Sequence, residues 1–199
     1  MVVSMTVKMD EREIFIAAER ALSAVVDQIA DEQWDDPMPP MFGMAKTTVR
    51  DIVQGHAADD QWVGHVLSGA TIEDGKAVFT DTPLTGDLKA GWRAITERAQ
   101  SAARAADDLD AVVHLSFGGY PAREYLQQIT AYRGLQAWDL ARCIGVDDTL
   151  PPELVQGMWT QLQPVADEWR EIGAFGPEVE VPADAPLQQR LLGLAGRRP

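Results

Sequence analysis

A mainly α chain is what this sequence predicts: a four-helix bundle over residues 1–149, followed by a small C-terminal α/β extension over 150–199. Three observations carry that prediction. Apolar residues recur at three- and four-residue steps in four separate stretches. Capping and stop residues bracket those stretches. The remainder breaks the helical rhythm with prolines and one short alternation of valine with acids.

The first helix is expected over Asp10–Asp31, where Ile14, Ala18, Leu22, Val25 and Ile29 make one apolar stripe. Asp10 can cap its start, and Glu13 three residues on closes a capping box. DDPMPPMFGM must then be a loop, because Pro37, Pro39 and Pro40 cannot continue a helix. A second helix starts at Thr47 or Thr48, either hydroxyl serving as cap, and runs through Val49, Ile52, Val53 and His56 to about Leu67. After a turn-rich stretch from Gly69 to Pro83, the third helix spans about Thr85 to Ala106, with Leu88, Trp92, Ile95 and Ala99 on one face. Gly86 and Gly91 weaken its beginning.

AVVHLSFGGY is an extended stretch or a loop. Pro121 opens the fourth helix, Ala122 to about Ile144, and Gly145 ends it as a C-cap. Four helices of about 20 residues make the bundle pattern. In the extension, PPELVQGMWTQLQPVADEWREIG predicts a fifth helix interrupted or kinked at Pro164. FGPEVEVPADAP alternates Val179 and Val181 with acids, as a short edge strand does, and LQQRLLGLAGRRP predicts a closing helix.

Charge narrows the function. Thirty-one acidic against 17 basic residues give a net charge of −14, which argues against nucleic-acid or anionic-membrane binding. No apolar run approaches the roughly 18 residues of a membrane span, and the N-terminus lacks the basic and apolar regions of a secretory signal. A cytoplasmic protein is expected. The lone Cys143 excludes an intramolecular disulfide framework, and its position in the last helical turn marks a buried structural thiol.

In the second helix, GHAADDQW places Asp59 and Asp60 three and four residues after His56. His56 and Asp60 at i, i+4 form either half of a metal site or an acidic, solvated face with one partly buried histidine. His65 belongs to an outer surface or helix end, and His114 beside Ser116 lacks the strand-turn-helix setting of a nucleophile elbow. No phosphate-cradling glycine motif occurs. Trp92 and Trp138 are expected in the core, whereas Trp62 either packs or walls a pocket. Tyr132 and Gln136, one turn apart, share a face on which phenol and amide can hydrogen-bond a ligand, each other or a buried carbonyl.

Three segments together resemble the DinB-like superfamily, in the branch around mycothiol-dependent maleylpyruvate isomerase. They are TTVRDIVQGHAADDQWVGHVLSG, GGYPAREYLQQITAYRGLQAWDLARCIG and GPEVEVPADAPLQQRLLGLAGRRP, with WDLAR and the VPADA…RLL…GR.P tail the most specific parts. The resemblance implies an up-down-down-up four-helix bundle. It also implies a divalent metal such as zinc at one end of the bundle, activating a low-molecular-weight thiol or a water. The ligands it implies are a histidine on the second helix, and a carboxylate and a histidine four residues apart on the fourth. Carried onto this chain, those positions are Gly55, Tyr132 and Gln136. None is a good ligand: glycine has no side chain, a phenol titrates near pH 10, and an amide is neutral.

His56, one step from the first of these positions, is turned by about 100° and is expected to point away from the bundle centre. The expectation is therefore a metal-free pocket for a small organic molecule between the second and fourth helices. Gly55, Asp59, Trp62, Tyr132 and Gln136 would bind the ligand, with Trp62 and His56 at the rim. In a catalytic version (a metal-independent isomerisation, cyclisation or elimination) Tyr132 is the acid, and His56 or Asp59 the base. No cofactor is expected. Two alternatives stand beside it: a metal- and thiol-dependent transferase or isomerase in which His56, Asp59 or Asp60 recruits the ion, and a non-catalytic partner-binding bundle, as a homodimer or otherwise.

Overall fold

Asp10 caps the first helix as its sequence demands: its carboxylate accepts from the Glu13 amide, and Glu13 accepts from the Asp10 amide. The computed structural model describes residues 9–39 and 47–199. Part of the expected proline loop, residues 40–44, and most of the N-terminal stretch lie outside the described residues. The chain is mainly helical, and eight helices with one two-stranded sheet make up its regular structure among those residues.

Four helices are long: α1 (Glu11–Val26), α2 (Val49–Leu67), α4 (Leu88–Ala105) and α5 (Ala122–Ile144). A short α3 (Ile72–Gly75) follows α2. Thr48, not Thr47, caps α2 and forms a capping box with Asp51. Asp87 caps α4, which starts later than the sequence suggests because Gly86 sits in the left-handed region at φ 66°. Gly145, at φ 75°, ends α5. The first helix also stops early, at Val26, and a 3₁₀ turn at Asp31–Gln33 completes its expected span.

Packing follows the stripes. α1 lies along α5 and also against α4, α4 lies along α2, and α2 meets α5 along a thinner seam. Ile14, Leu22, Trp92, Leu135 and Leu140 belong to the core that results. The stretch between α4 and α5 is a β-hairpin: β1 (Val112–Leu115) pairs antiparallel with β2 (Gly118–Pro121) around the Ser116-Phe117 turn. Only Val113 of the two strands is fully buried, and it anchors the hairpin on the bundle.

The C-terminal part is α6 (Pro152–Leu162), α7 (Ala166–Glu171) and α8 (Leu187–Leu194), with the break around Pro164 where a proline cannot join the helical ladder. The edge strand expected around Val179 and Val181 does not form. That segment crosses Gly193 of α8 instead, with the Val179 amide bonded to the Gly193 carbonyl at 2.9 Å, and no second strand lies beside it. The extension is helical with an extended connector rather than α/β.

Candidate functional site

Three charged side chains occupy apolar stripes of three different helices. In α1, Phe15, Leu22 and Val26 are fully buried, and so is Glu19 between them. In α2, Asp60 falls between Ala57 and Val63. In α5, Arg133 falls between Leu126 and Ala137. The Arg133 guanidinium bridges both carboxylates, donating from Nε to Asp60 Oδ1 at 2.9 Å and pairing with Glu19. It also donates to the Ile129 carbonyl at 3.1 Å and lies over the Phe15 ring at 5.5 Å.

Burial first, and then the neighbouring Asp60 charge, push the Glu19 carboxyl well above the ordinary range, against the pull of Arg133. Asp60 is also raised by burial, with Arg133 and a hydrogen bond from Glu19 opposing. Burial thus favours the protonated form of both acids, and the Arg133 guanidinium they share opposes it. The acidic solvated face is thus corrected for Asp60, which is shut inside the bundle and holds a guanidinium; Asp59 does face solvent.

His56 is also corrected. It does not point away from the centre or stand at a rim: the imidazole is fully buried, and its ring lies 4.4 Å from that of Tyr132, tilted by 31°. Neither ring nitrogen has a hydrogen-bond partner among the described residues. Burial, reinforced by the Arg133 charge, holds its pKa well below 6.5, so it is a neutral imidazole at neutral pH. Burial raises the Tyr132 phenol above 10, with the Asp59 charge adding to the shift.

Gly55 is exposed, and the position of a Cβ there meets no described atom within 4 Å. Tyr132 keeps 38% of its surface, whereas Gln136 keeps none. These two residues of one helical face therefore serve different surroundings, Tyr132 a cavity and Gln136 the interior. Trp62 packs on Phe79 (centroids 4.7 Å apart) and against His65, whose Nε2 lies 2.7 Å from the Thr71 carbonyl. That cluster is a helix-end packing site. His114 is exposed on β1. Trp92 is buried and donates to Ser23 Oγ at 3.0 Å, and Cys143, half-buried, has its thiol pKa raised by burial.

Tyr132 opens onto a cavity of about 1000 Å³ that lies between the outer face of α5, the hairpin and the C-terminal segment, not between α2 and α5. Trp138 and Leu135 line its α5 wall, Phe117 and Tyr120 the hairpin side, Trp169 and Phe175 the C-terminal side. Among Gly55, His56, Asp59, Trp62, Tyr132 and Gln136, only Tyr132 lines it. The tail that closes it is tied down by charge: Arg197 clasps Asp139 of α5, with Nη2 to Oδ2 at 2.7 Å and Nε within 3.1 Å of both oxygens. Arg170 adds a bond to the Leu194 carbonyl at 2.8 Å.

Sequence reasoning missed Glu19, Arg133 and the C-terminal wall. The signal for the first two was present, since each is the charged member of an otherwise apolar i, i+3, i+4 row. Among the described residues no cluster of three or more His, Cys, Asp or Glu side chains could hold a metal ion, and no helix is long and apolar enough to cross a membrane. No protein-family model, curated protein or solved structure matches this chain.

Proposed function

We propose that this chain is a DinB-like protein of the mycothiol-dependent maleylpyruvate isomerase-like branch, an up-down-down-up bundle with its metal-ligand positions replaced, and that it binds a small, largely apolar organic molecule. The binding site is the cavity between α5 and the C-terminal segment. The observation that carries this reading is the cavity itself, about 1000 Å³ with aromatic walls and few polar groups, at the upper end of the size range of ligand pockets. Support for the family comes from one contact. Asp139 of WDLAR and Arg197 of the GR.P tail, the two most specific parts of the resemblance, are ion-pair partners.

The metal that the family implies does not fit the donors here. Gly55 offers no atom, Tyr132 a neutral phenol whose deprotonation is made harder by burial, and Gln136 an amide. A site shifted to His56 and Asp60 fares no better, because Asp60 already holds the Arg133 guanidinium and that fixed positive charge repels a second cation. Binding is favoured over acid–base chemistry by the contact between His56 and Tyr132. Their rings pack at a 31° tilt and neither imidazole nitrogen bonds the phenol, so the pair is not set for direct proton transfer.

Two measurements test the reading. The neutral probe N-phenyl-1-naphthylamine should bind one to one with a rise in its fluorescence, and Ala174→Trp, which fills the cavity from its C-terminal wall, should abolish that rise while leaving the helical circular dichroism intact. Undiminished binding by that variant places the ligand elsewhere.

A further inference from the structure

We infer that the cavity is built for an aromatic carboxylate, with Arg198 as the group that recognises the anion; this rests on the binding reading above and names its ligand class. The charges lining the cavity are Asp139, Arg197 and Arg198, two guanidiniums against one carboxylate in a chain whose net charge is −14. Asp139 and Arg197 neutralise each other. Arg197 uses Nε and Nη2 on the carboxylate, and Nη1 on the Ala195 carbonyl at 3.2 Å, so it is held in place as part of the wall. Arg198 forms no hydrogen bond or ion pair with any described residue and faces the cavity from its exposed end. The lining therefore carries one uncompensated positive charge.

The rest of the lining says what that charge is attached to. Phe117 and Ile172 stand at the mouth with 65% and 78% of their surfaces exposed, an unusual position for large apolar side chains on a strongly charged protein. Tyr132, Trp138, Trp169 and Phe175 add aromatic surface to the rest of the lining. A flat apolar body suits such a lining, and a guanidinium at one end matches a planar carboxylate in two parallel hydrogen bonds. The chain's overall field repels anions, so the local guanidinium acts as a filter: it admits a ligand with one negative group and gives it no second cation to use.

The test uses two probes of one shape, 2-naphthoate and its neutral amide 2-naphthamide, titrated calorimetrically into the intact chain at low salt. The wild type should bind naphthoate at least tenfold more tightly than naphthamide. Arg198→Gln should bring the two within about threefold by weakening naphthoate alone, while the exposed Arg104→Gln on α4 leaves the preference in place. Equal binding of the two probes by the wild type overturns the inference and leaves the cavity standing as a neutral-ligand site. A preference that survives Arg198→Gln also overturns it. If neither probe binds, the binding reading falls, and this inference with it.

Discussion

Arg133 of α5 donates to Asp60 of α2 at 2.9 Å with neither side chain reaching solvent. The contact spans the seam between α2 and α5, thinner than those of α1 with α5 and α2 with α4, and Glu19 closes it from α1. The guanidinium supplies the positive charge that two buried acids require in an apolar interior.

Removing the guanidinium strands Asp60 inside the protein. Arg133→Met should cost about 3–5 kcal/mol of stability at neutral pH, read from urea unfolding. Glu19→Gln, which imitates the protonated acid, should cost less than about 1 kcal/mol, and the apolar triple variant Glu19→Leu, Asp60→Leu, Arg133→Met should recover most of the loss. An Arg133→Met protein as stable as the wild type contradicts the cluster.

Stability should depend on pH through two groups of opposite sign. The His56 pKa is depressed in the folded chain, so its contribution is present above the unfolded value near 6.5 and is lost as pH falls below it. Glu19 is raised, so its contribution is present below about 4.5 and is lost as pH climbs through its folded value. Between these limits the slopes oppose each other. Glu19→Gln should uncover a decline toward acid, and His56→Phe a decline toward alkali, each approaching about 1.4 kcal/mol per pH unit. Parallel profiles for the two variants in denaturant unfolding from pH 4.5 to 6.5 rule this out.

Tyr132 covers His56, standing between the imidazole and the cavity. Tyr132→Ala should therefore let water reach the ring and move the His56 pKa up toward 6.5, followed by proton NMR of the imidazole. Trp92→Phe, on a buried residue that hydrogen-bonds Ser23 instead, should leave it unmoved. An unchanged His56 in Tyr132→Ala means that burial comes from elsewhere.

Two glycines should respond in opposite directions. A Cβ on Gly55 enters open space on a helix, so Gly55→Ala should stabilise by about 0.5–1 kcal/mol. A Cβ on Gly193 lands 2.6 Å from the Val179 carbonyl, where backbone must move, so Gly193→Ala should destabilise by about 1–3 kcal/mol. The same displacement should weaken N-phenyl-1-naphthylamine binding, because the Arg197 clasp follows α8 by three residues and its amide bonds the Leu192 carbonyl. Thermal melts and probe titrations together check both signs.

Local order was legible in the sequence because it depends on neighbours a few residues apart. The Asp10 capping box, a threonine cap on α2, the Gly145 stop, the break at Pro164 and the apolar stripes of the long helices all follow from short-range stereochemistry. What tertiary structure decided was which way each side chain looks once helices meet. A rotation of 100° on an isolated helix puts His56 outside, yet the contacts of α2 on both α4 and α5 leave that direction inside. The same long-range packing turned Glu19, Asp60 and Arg133 into partners, left the Val179–Val181 segment without a strand to pair with, and set the cavity on the far side of α5. That last placement depends on Arg197 reaching Asp139, two residues 58 positions apart, and no rule of local periodicity contains such a distance.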